Sequence, residues 1–126
     1  MNMAIDIKSL RIGSHILVNG KRERVRGLDE ANGLIIRFPA EYVLASEVEP
    51  IAITPELLKE LGFEDDKTGI AKHVGGYFIF FHQISYLRWR VSLEGENCMN
   101  YGNTLCRYLH EAEALLALHG VELIPD

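Results

Sequence analysis

The first 52 residues alternate short apolar runs with turn-forming residues. Residues 14–18 and 21–26 flank Asn19-Gly20, a pair that suits a type I′ hairpin turn because both central positions need positive φ. Three further apolar runs follow, at residues 34–38, 42–44 and 48–51. Four or five short strands joined by tight turns predict a small, partly open β-barrel of the SH3-like type over residues 10–52.

A helix start follows this strand region. Thr54 is a capping residue, Pro55 suits the first helical position, and Glu56 complements the positive end of the helix dipole. Gly62 is placed to end this short helix. The charged residues 64–69 that come next are expected to form a loop.

The middle of the second half has the pattern of a β-hairpin. Residues 77–82 are aromatic and β-branched, and residues 87–93 alternate apolar with polar side chains. One face of the second strand is expected to bury four side chains: Leu87, Trp89, Val91 and Leu93. A short third strand is expected at residues 98–101.

The last predicted element is an amphipathic helix over residues 105–119. Its apolar positions recur at helical spacing, at Leu105, Tyr108, Leu109, Ala112, Leu115, Leu116 and His119. Asn103 or Thr104 is expected to cap its start, and Gly120 to end it. We expect its apolar face to lie on the sheet.

These elements together predict an α+β fold. An N-terminal SH3-like barrel lobe over residues 1–53 is followed by residues 54–126, which hold the linking helix, a small antiparallel sheet and the C-terminal helix. We expect the two lobes to share one core, because a chain of 126 residues is long enough to bury one without disulfide or metal support.

Charge is unevenly distributed in this chain, whose net charge is −5. Residues 1–50 hold seven basic and seven acidic side chains, whereas residues 51–126 hold six basic and eleven acidic ones. An acidic balance argues against general binding of polyanions, but only weakly for the neutral first half. No apolar run approaches the ~20 residues of a membrane span, and the N-terminus is not a signal peptide, so a cytoplasmic protein without membrane contact is expected.

Three phrases carry a family resemblance: Arg11-Ile-Gly13 before the first hairpin, residues 50–63 at the first helix, and residues 108–123 at the closing helix. In these, the chain resembles a group of small bacterial proteins of unassigned function, many of them from prophages or other mobile elements. The group usually has a polar residue such as Gln where Glu111 and Glu113 stand, and Thr where His119 stands. The resemblance spans the chain almost end to end and implies no activity, cofactor or binding residue.

An arginine row is the most specific candidate site. Arg22, Arg24 and Arg26 would share one face of a strand, about 7 Å apart, a spacing that suits the phosphates of an extended single strand. Arg37 on a neighbouring strand and Tyr42 as a stacking surface could complete this nucleic-acid or partner site. The alternative is a solvated strand face that keeps a sheet edge from aggregating.

Aromatic side chains form the second candidate site, an interface. The strand at residues 77–82 is apolar on both faces, through Tyr77, Phe78, Phe80 and Phe81. One face can meet the C-terminal helix. The other is covered either by the barrel lobe or by a partner, which could be a second copy of the chain or another protein.

Catalytic and metal motifs are not recognised. Cys106 and His110 would share a helix face, but a full set of zinc ligands is missing, and Cys98 lies just upstream. Gly75-Gly76 is not a phosphate-binding motif. We therefore expect no metal, no cofactor and no enzymatic activity. The leading hypothesis is a non-enzymatic binding or adaptor module, and the resemblance implies that it would serve as an accessory protein of a phage or mobile element. The alternative is a nucleic-acid-binding protein that uses the arginine row.

Overall fold

Antiparallel strands dominate the part of the chain that the structure describes, and two helices there complete a mixed α+β fold, as predicted. The computed structural model describes residues 10–29, 33–37, 41–43, 47–66, 69–95 and 100–124. The chain divides into two compact units, Met1–Ile51 and Ala52–Asp126. Neither described helix is long and apolar enough to cross a membrane.

The described residues of unit 1 form six short strands: β1 (His15–Val18), β2 (Lys21–Arg24), β3 (Gly27–Asp29), β4 (Gly33–Arg37), β5 (Glu41–Val43) and β6 (Val48–Glu49). They form two three-stranded antiparallel sheets, with strand orders β2-β1-β6 and β3-β4-β5. The predicted first hairpin is confirmed. Asn19 and Gly20 join β1 to β2 with φ values of 52° and 78°, as a type I′ turn requires.

The core of unit 1 draws on both sheets. Its buried apolar cluster comprises Leu10, Ile16, Val25, Val43 and Val48, with Val18 packed against it. Within the described residues no strand ladder joins the two sheets, so neither sheet closes into a barrel. The predicted strand over residues 21–26 is also shorter than expected, because β2 ends at Arg24 and Gly27 begins a strand of the other sheet.

Unit 2 is a meander between two helices. Its elements are α1 (Pro55–Glu60), β7 (Glu64–Asp66), β8 (Gly69–Val74), β9 (Tyr77–Ser85), β10 (Arg88–Gly95), β11 (Asn100–Cys106) and α2 (Leu109–Ala117). The five strands pair in sequence order, with β7 and β11 at the edges of the sheet. The predicted hairpin is confirmed as β9 and β10.

Helix α1 begins and ends where the sequence predicts. The side-chain oxygen of Thr54 accepts a hydrogen bond from the backbone N–H of Leu57 at 3.1 Å, and Pro55 occupies the first helical position. Gly62 follows the last turn with a φ of +92°, a conformation that favours glycine. The ammonium of Lys72 on β8 donates to the carbonyl of Leu61 at 2.7 Å, satisfying one of the orphan carbonyls of this helix end.

Two predictions in unit 2 are wrong. The expected charged loop at residues 64–69 contains strand β7 and the start of β8, and the closing helix begins at Leu109 instead of residue 105. Residues 100–106 instead form β11, which pairs with β10. Tyr108 is the N-cap, so neither Asn103 nor Thr104 caps the helix. The carboxylate of Glu111 accepts hydrogen bonds from the backbone N–H groups of Arg107 and Tyr108, at 3.0 and 2.9 Å.

One face of the five-stranded sheet is buried. Cross-strand partners on this face include Phe81 with Val91 and Ile79 with Leu93, all fully buried. The indole N–H of Trp89 donates to the carbonyl of Ile53 at 3.0 Å. Helix α2 lies against β11 and buries Leu109, Ala112 and Leu116. The predicted inward face of β10 is therefore confirmed for Trp89, Val91 and Leu93.

Candidate functional site

The distal half of the β9–β10 hairpin is exposed. Along β9, Ile79 and Phe81 are fully buried, but every residue from His82 onward is exposed. From residue 82 to residue 90, which we call the hairpin tip, only Trp89 is buried. The strands therefore continue past the core that holds their proximal half.

A β-bulge shapes the hairpin tip. Arg88 pairs with Ser85 but Trp89 pairs with Gln83, so Ile84 is an extra residue on β9. The side-chain amide of Gln83 donates to the carbonyl of Tyr86 at 3.4 Å across the turn. A bulge bends its strand and increases the local twist, and this one lies where the buried part of β9 ends.

Three large apolar side chains are exposed next to one another at the hairpin tip. Ile84 is 47% exposed, Tyr86 is 87% exposed and Leu87 is 46% exposed. The sequence had placed Leu87 on the buried face, and this prediction is wrong, because Leu87 lies in the turn. A group of exposed apolar side chains at one end of a soluble protein is typical of an interaction site.

The hairpin tip lies in a span of the sequence without acidic residues, although the chain as a whole is acidic. No Asp or Glu occurs between Asp66 and Glu94, whereas this span holds two lysines and two arginines. In the described part of the chain, no carboxylate lies within ion-pair distance of Arg88 or Arg90. Both arginines are exposed on β10, and Arg90 pairs with His82 across the hairpin.

Aromatic rings continue from the hairpin tip along the less buried face of the sheet. The rings of Phe78 and Phe80 meet edge to face at 5.1 Å, and the ring of His73 on β8 lies 4.4 Å from that of Phe78. Phe78, Phe80 and His82 alternate along β9, so they share this face. Phe78 and Phe80 are half-buried.

The side chains of the predicted aromatic interface lie on both faces of strand β9. Phe81 lies in the core, where its ring meets those of Phe63 at 5.2 Å and Trp89 at 6.4 Å, so it is not available to a partner. Tyr77 is half-buried, with its ring 5.9 Å from that of His119. Of the four predicted side chains, Phe78 and Phe80 therefore lie on the face of β9 that His82 of the hairpin tip shares.

The predicted arginine row is not continuous. Arg22 and Arg24 lie on one face of β2, opposite Leu17 and His15, but Arg26 lies beyond the end of the strand. Each of the three arginines already has an interaction partner. Two further predicted residues belong to the other sheet of unit 1: Arg37 ends β4, and Tyr42 lies in β5. The side chains of both lie outside the described part of the structure.

Cys106 and His110 do not share a helix face, because Cys106 ends β11 and His110 lies in α2. Burial raises the pKa of the Cys106 thiol to about 12, and the negative charge of Glu111 adds to this shift. The thiol is thus protonated near neutral pH and is a poor nucleophile. Among the described residues, no group of His, Cys, Asp and Glu could hold a metal ion; Cys98 lies outside them.

A surface cavity of about 210 Å³ lies at the β7 edge of the sheet. Glu64, Asp65 and Asp66 line it together with Lys72, His73 and Phe78. The Lys72 ammonium is held by the carbonyl of Leu61, and Lys59 approaches Asp65 to 3.5 Å. The cavity does not set a nucleophile beside a general base in the way that covalent catalysis requires.

Comparisons of the chain with protein-family models, with curated proteins and with solved structures find no match. The function has to follow from the chemistry of the residues themselves. The sequence contains one signal for the hairpin tip that the prediction of sites missed. The absence of acidic residues between Asp66 and Glu94 can be read directly from the chain, and Tyr86, Arg88 and Arg90 lie within that span.

Proposed function

We propose that the protein is a non-enzymatic binding module whose binding element is the hairpin tip. The observation that carries this proposal is that one hairpin tip exposes Ile84, Tyr86 and Leu87 and also two arginines that lack carboxylate partners in the described structure. Exposed apolar side chains gain free energy when a partner removes them from water, at about 25 cal/mol per Å².

The composition of the hairpin tip favours a protein partner. Tyrosine and arginine are enriched among the residues that dominate the binding energy of protein interfaces, whereas Lys, Glu and Asp are depleted from interface cores. The tip supplies Tyr86, Arg88 and Arg90 together with aliphatic side chains, and it contains neither lysine nor an acidic residue.

We further propose that unit 1 is a partly open barrel of the SH3-like type. The support is its apolar cluster, in which Ile16 and Val48 come from one sheet and Val43 comes from the other. Two small sheets that bury a common core in this way have the layered arrangement of such barrels. A shared core between the two units stays a prediction.

Nucleic-acid binding through unit 1 is the second candidate function. The register places Arg22 and Arg24 on one face of β2, two residues and thus about 7 Å apart. This function predicts retention of single-stranded DNA or RNA that weakens steeply as salt is added, and that Arg22→Glu abolishes. Binding that Arg22→Glu leaves unchanged would exclude it.

The test of the main proposal is affinity capture with a matched pair of variants. The full-length protein and its Tyr86→Ala/Leu87→Ala variant are immobilised and exposed to a host lysate, with quantitative mass spectrometry of the retained proteins and of any retained nucleic acid. Leu118→Ala is the control, because Leu118 is an exposed leucine, 75% accessible, at the far end of α2. Emission from the buried Trp89 verifies that each variant is folded.

We expect at least one protein to be retained by the wild-type chain and by Leu118→Ala, and to fall about ten-fold or more with the double variant, since loss of an aromatic anchor costs about 2 kcal/mol or more. Equal retention by all three chains overturns the proposal. So does retention of nothing but nucleic acid.

A further inference from the structure

The ligand class of the hairpin tip follows from its charge and geometry, if the proposed function holds. We propose that the tip binds an acidic segment of a protein chain in which carboxylates alternate with other residues and apolar side chains lie next to them. The two arginines would hold the carboxylates, and Ile84, Tyr86 and Leu87 would cover the apolar side chains.

The charge of the hairpin tip is complementary to that of an acidic ligand. The chain is acidic overall, with a net charge of −5, yet the tip lies in its longest span without Asp or Glu. Arg88 and Arg90 are exposed and meet no carboxylate in the described structure. A carboxylate supplied by a ligand can be held by an arginine through two parallel hydrogen bonds, which makes the pairing geometrically specific.

The spacing of Arg88 and Arg90 also fits an extended acidic segment. Arg88 and Arg90 are two residues apart on one strand, so their side chains lie on the same face about 7 Å apart. In an extended ligand, residues i and i+2 have the same separation and also share a face. An extended segment with Asp or Glu at i and i+2 therefore presents its carboxylates at the spacing of the two guanidinium groups.

The apolar side chains distinguish this ligand from a nucleic acid. Phosphates would also pair with Arg88 and Arg90, but sequence-tolerant binding of single strands uses a basic groove with aromatic stacking surfaces. The tip itself exposes two aliphatic side chains, Ile84 and Leu87, and one aromatic side chain, Tyr86, whereas the rings of Phe78 and Phe80 farther along β9 are half-buried. The overall negative charge of the protein also opposes a long polyanion more than it opposes a short peptide with two carboxylates.

The test selects peptides on the immobilised full-length protein from a display library of short random sequences. Peptides enriched on the wild-type protein are then tested for binding to the Arg88→Glu/Arg90→Glu and Tyr86→Ala/Leu87→Ala variants. We expect the enriched peptides to carry Asp or Glu at alternate positions next to aromatic or aliphatic residues. For a synthetic peptide of this kind, fluorescence anisotropy should show that the charge-reversed variant binds at least about ten-fold more weakly, or about 1.4 kcal/mol.

Two controls make the result specific. Arg88→Lys/Arg90→Lys keeps the charge but not the planar fork, so it should recover only part of the affinity. Lys21→Glu reverses an exposed charge in the turn region of unit 1 and should leave affinity unchanged. An oligothymidylate and an oligouridylate are titrated in parallel.

The outcomes distinguish a failure of the acidic-ligand proposal from a failure of the proposed function. Peptides without acidic bias, bound by wild type and by the charge-reversed variant alike but lost with Tyr86→Ala/Leu87→Ala, overturn the acidic ligand and leave the hairpin tip as the binding element. Peptides insensitive to both variants overturn both proposals. No enrichment, or oligonucleotide binding that depends on Arg88 and Arg90 without peptide binding, also overturns the acidic ligand.

Discussion

His110 is a buried histidine in the first turn of α2, and its protonation ties the stability of the protein to pH. Burial lowers the pKa of this imidazole below its ordinary value of 6.5, although the carboxylates of Glu111 and Glu113 partly oppose the shift. The folded protein therefore holds His110 neutral at a pH where the unfolded chain already binds a proton. In that range the free energy of unfolding rises with pH.

The expected result is a loss of stability as the pH falls below about 7, which continues until the lowered pKa of the folded state is passed. Urea unfolding, followed by Trp89 fluorescence between about pH 7.5 and pH 5, measures this dependence. His110→Gln removes the titrating group and should flatten the profile. His82→Gln, which replaces an exposed histidine, should keep the wild-type slope. A profile equally steep in His110→Gln would show that another group is responsible.

Single residues were predictable where backbone chemistry or strict alternation decides their position. Asn19 and Gly20 adopt the positive φ values of the predicted turn, and Trp89, Val91 and Leu93 face the core. The hydrogen bond from Trp89 to the carbonyl of Ile53 joins residues 36 positions apart. No local pattern encodes such a contact, because it depends on how the chain returns in three dimensions.

The boundary between β11 and α2 shows how an element can be misread. Leu105 fits the helical spacing of the closing helix, but in the structure it is a strand residue, 52% exposed and paired with Arg90. Its neighbour Cys106 is the buried one. Hydrogen bonds from β10 extend the strand to Cys106 and override the local periodicity, because ladder pairing is a non-local gain that spacing cannot reveal.

Strand β7 was missed for a related reason. Glu64, Asp65 and Asp66 are all exposed and acidic, which is typical of a loop by composition. At the edge of a sheet, however, a short charged strand pairs on one side only and prevents further pairing on the other. Polar residues are therefore compatible with an edge strand, and composition alone does not separate it from a loop.

At helix α1, the cap is the interaction that the sequence identified and the structure confirms. This helix has six residues, so a single capping hydrogen bond satisfies a large share of its free N–H groups. Thr54→Ala removes the acceptor for the N–H of Leu57 and should lower the free energy of unfolding by about 1 kcal/mol, measured by urea denaturation. Thr54→Ser keeps the hydroxyl and should retain most of the stability. If both variants lost the same amount, packing of the threonine methyl group would be responsible.

At the scale of the whole molecule, the distribution of charge along the chain says more about binding than the net charge does. Counting charge over residues 51–126 gives an acidic half and conceals the acid-free span between Asp66 and Glu94. The aromatic character of β9 was evident from the sequence, as was its two-faced pattern. The exposure of the hairpin tip was not, because it depends on where the core ends along the strands, which only the folded arrangement defines.

The charge distribution also bears on self-association, since the same chain carries an acidic edge. Strand β7 exposes Glu64 and Asp66 at alternate positions, beside the cavity that Phe78 lines, so a second copy offers part of the ligand chemistry proposed for the hairpin tip. Three observations oppose this pairing. Asp65 approaches Lys59, Asp66 already has a partner, and the tip offers only three exposed apolar side chains, whereas stable interfaces bury about 1,200 Å² or more.

We therefore expect a monomer. A tip-to-edge contact would join different surfaces of the two copies, so it would either close into a ring or extend into open chains, and copies with a net charge of −5 repel one another. Size-exclusion chromatography with light scattering should give the mass of one chain, 14.3 kDa, at every protein concentration tested. A mass that rises with concentration, and returns to one chain in either Tyr86→Ala or Glu64→Lys, would show that the hairpin tip binds the acidic edge of another copy.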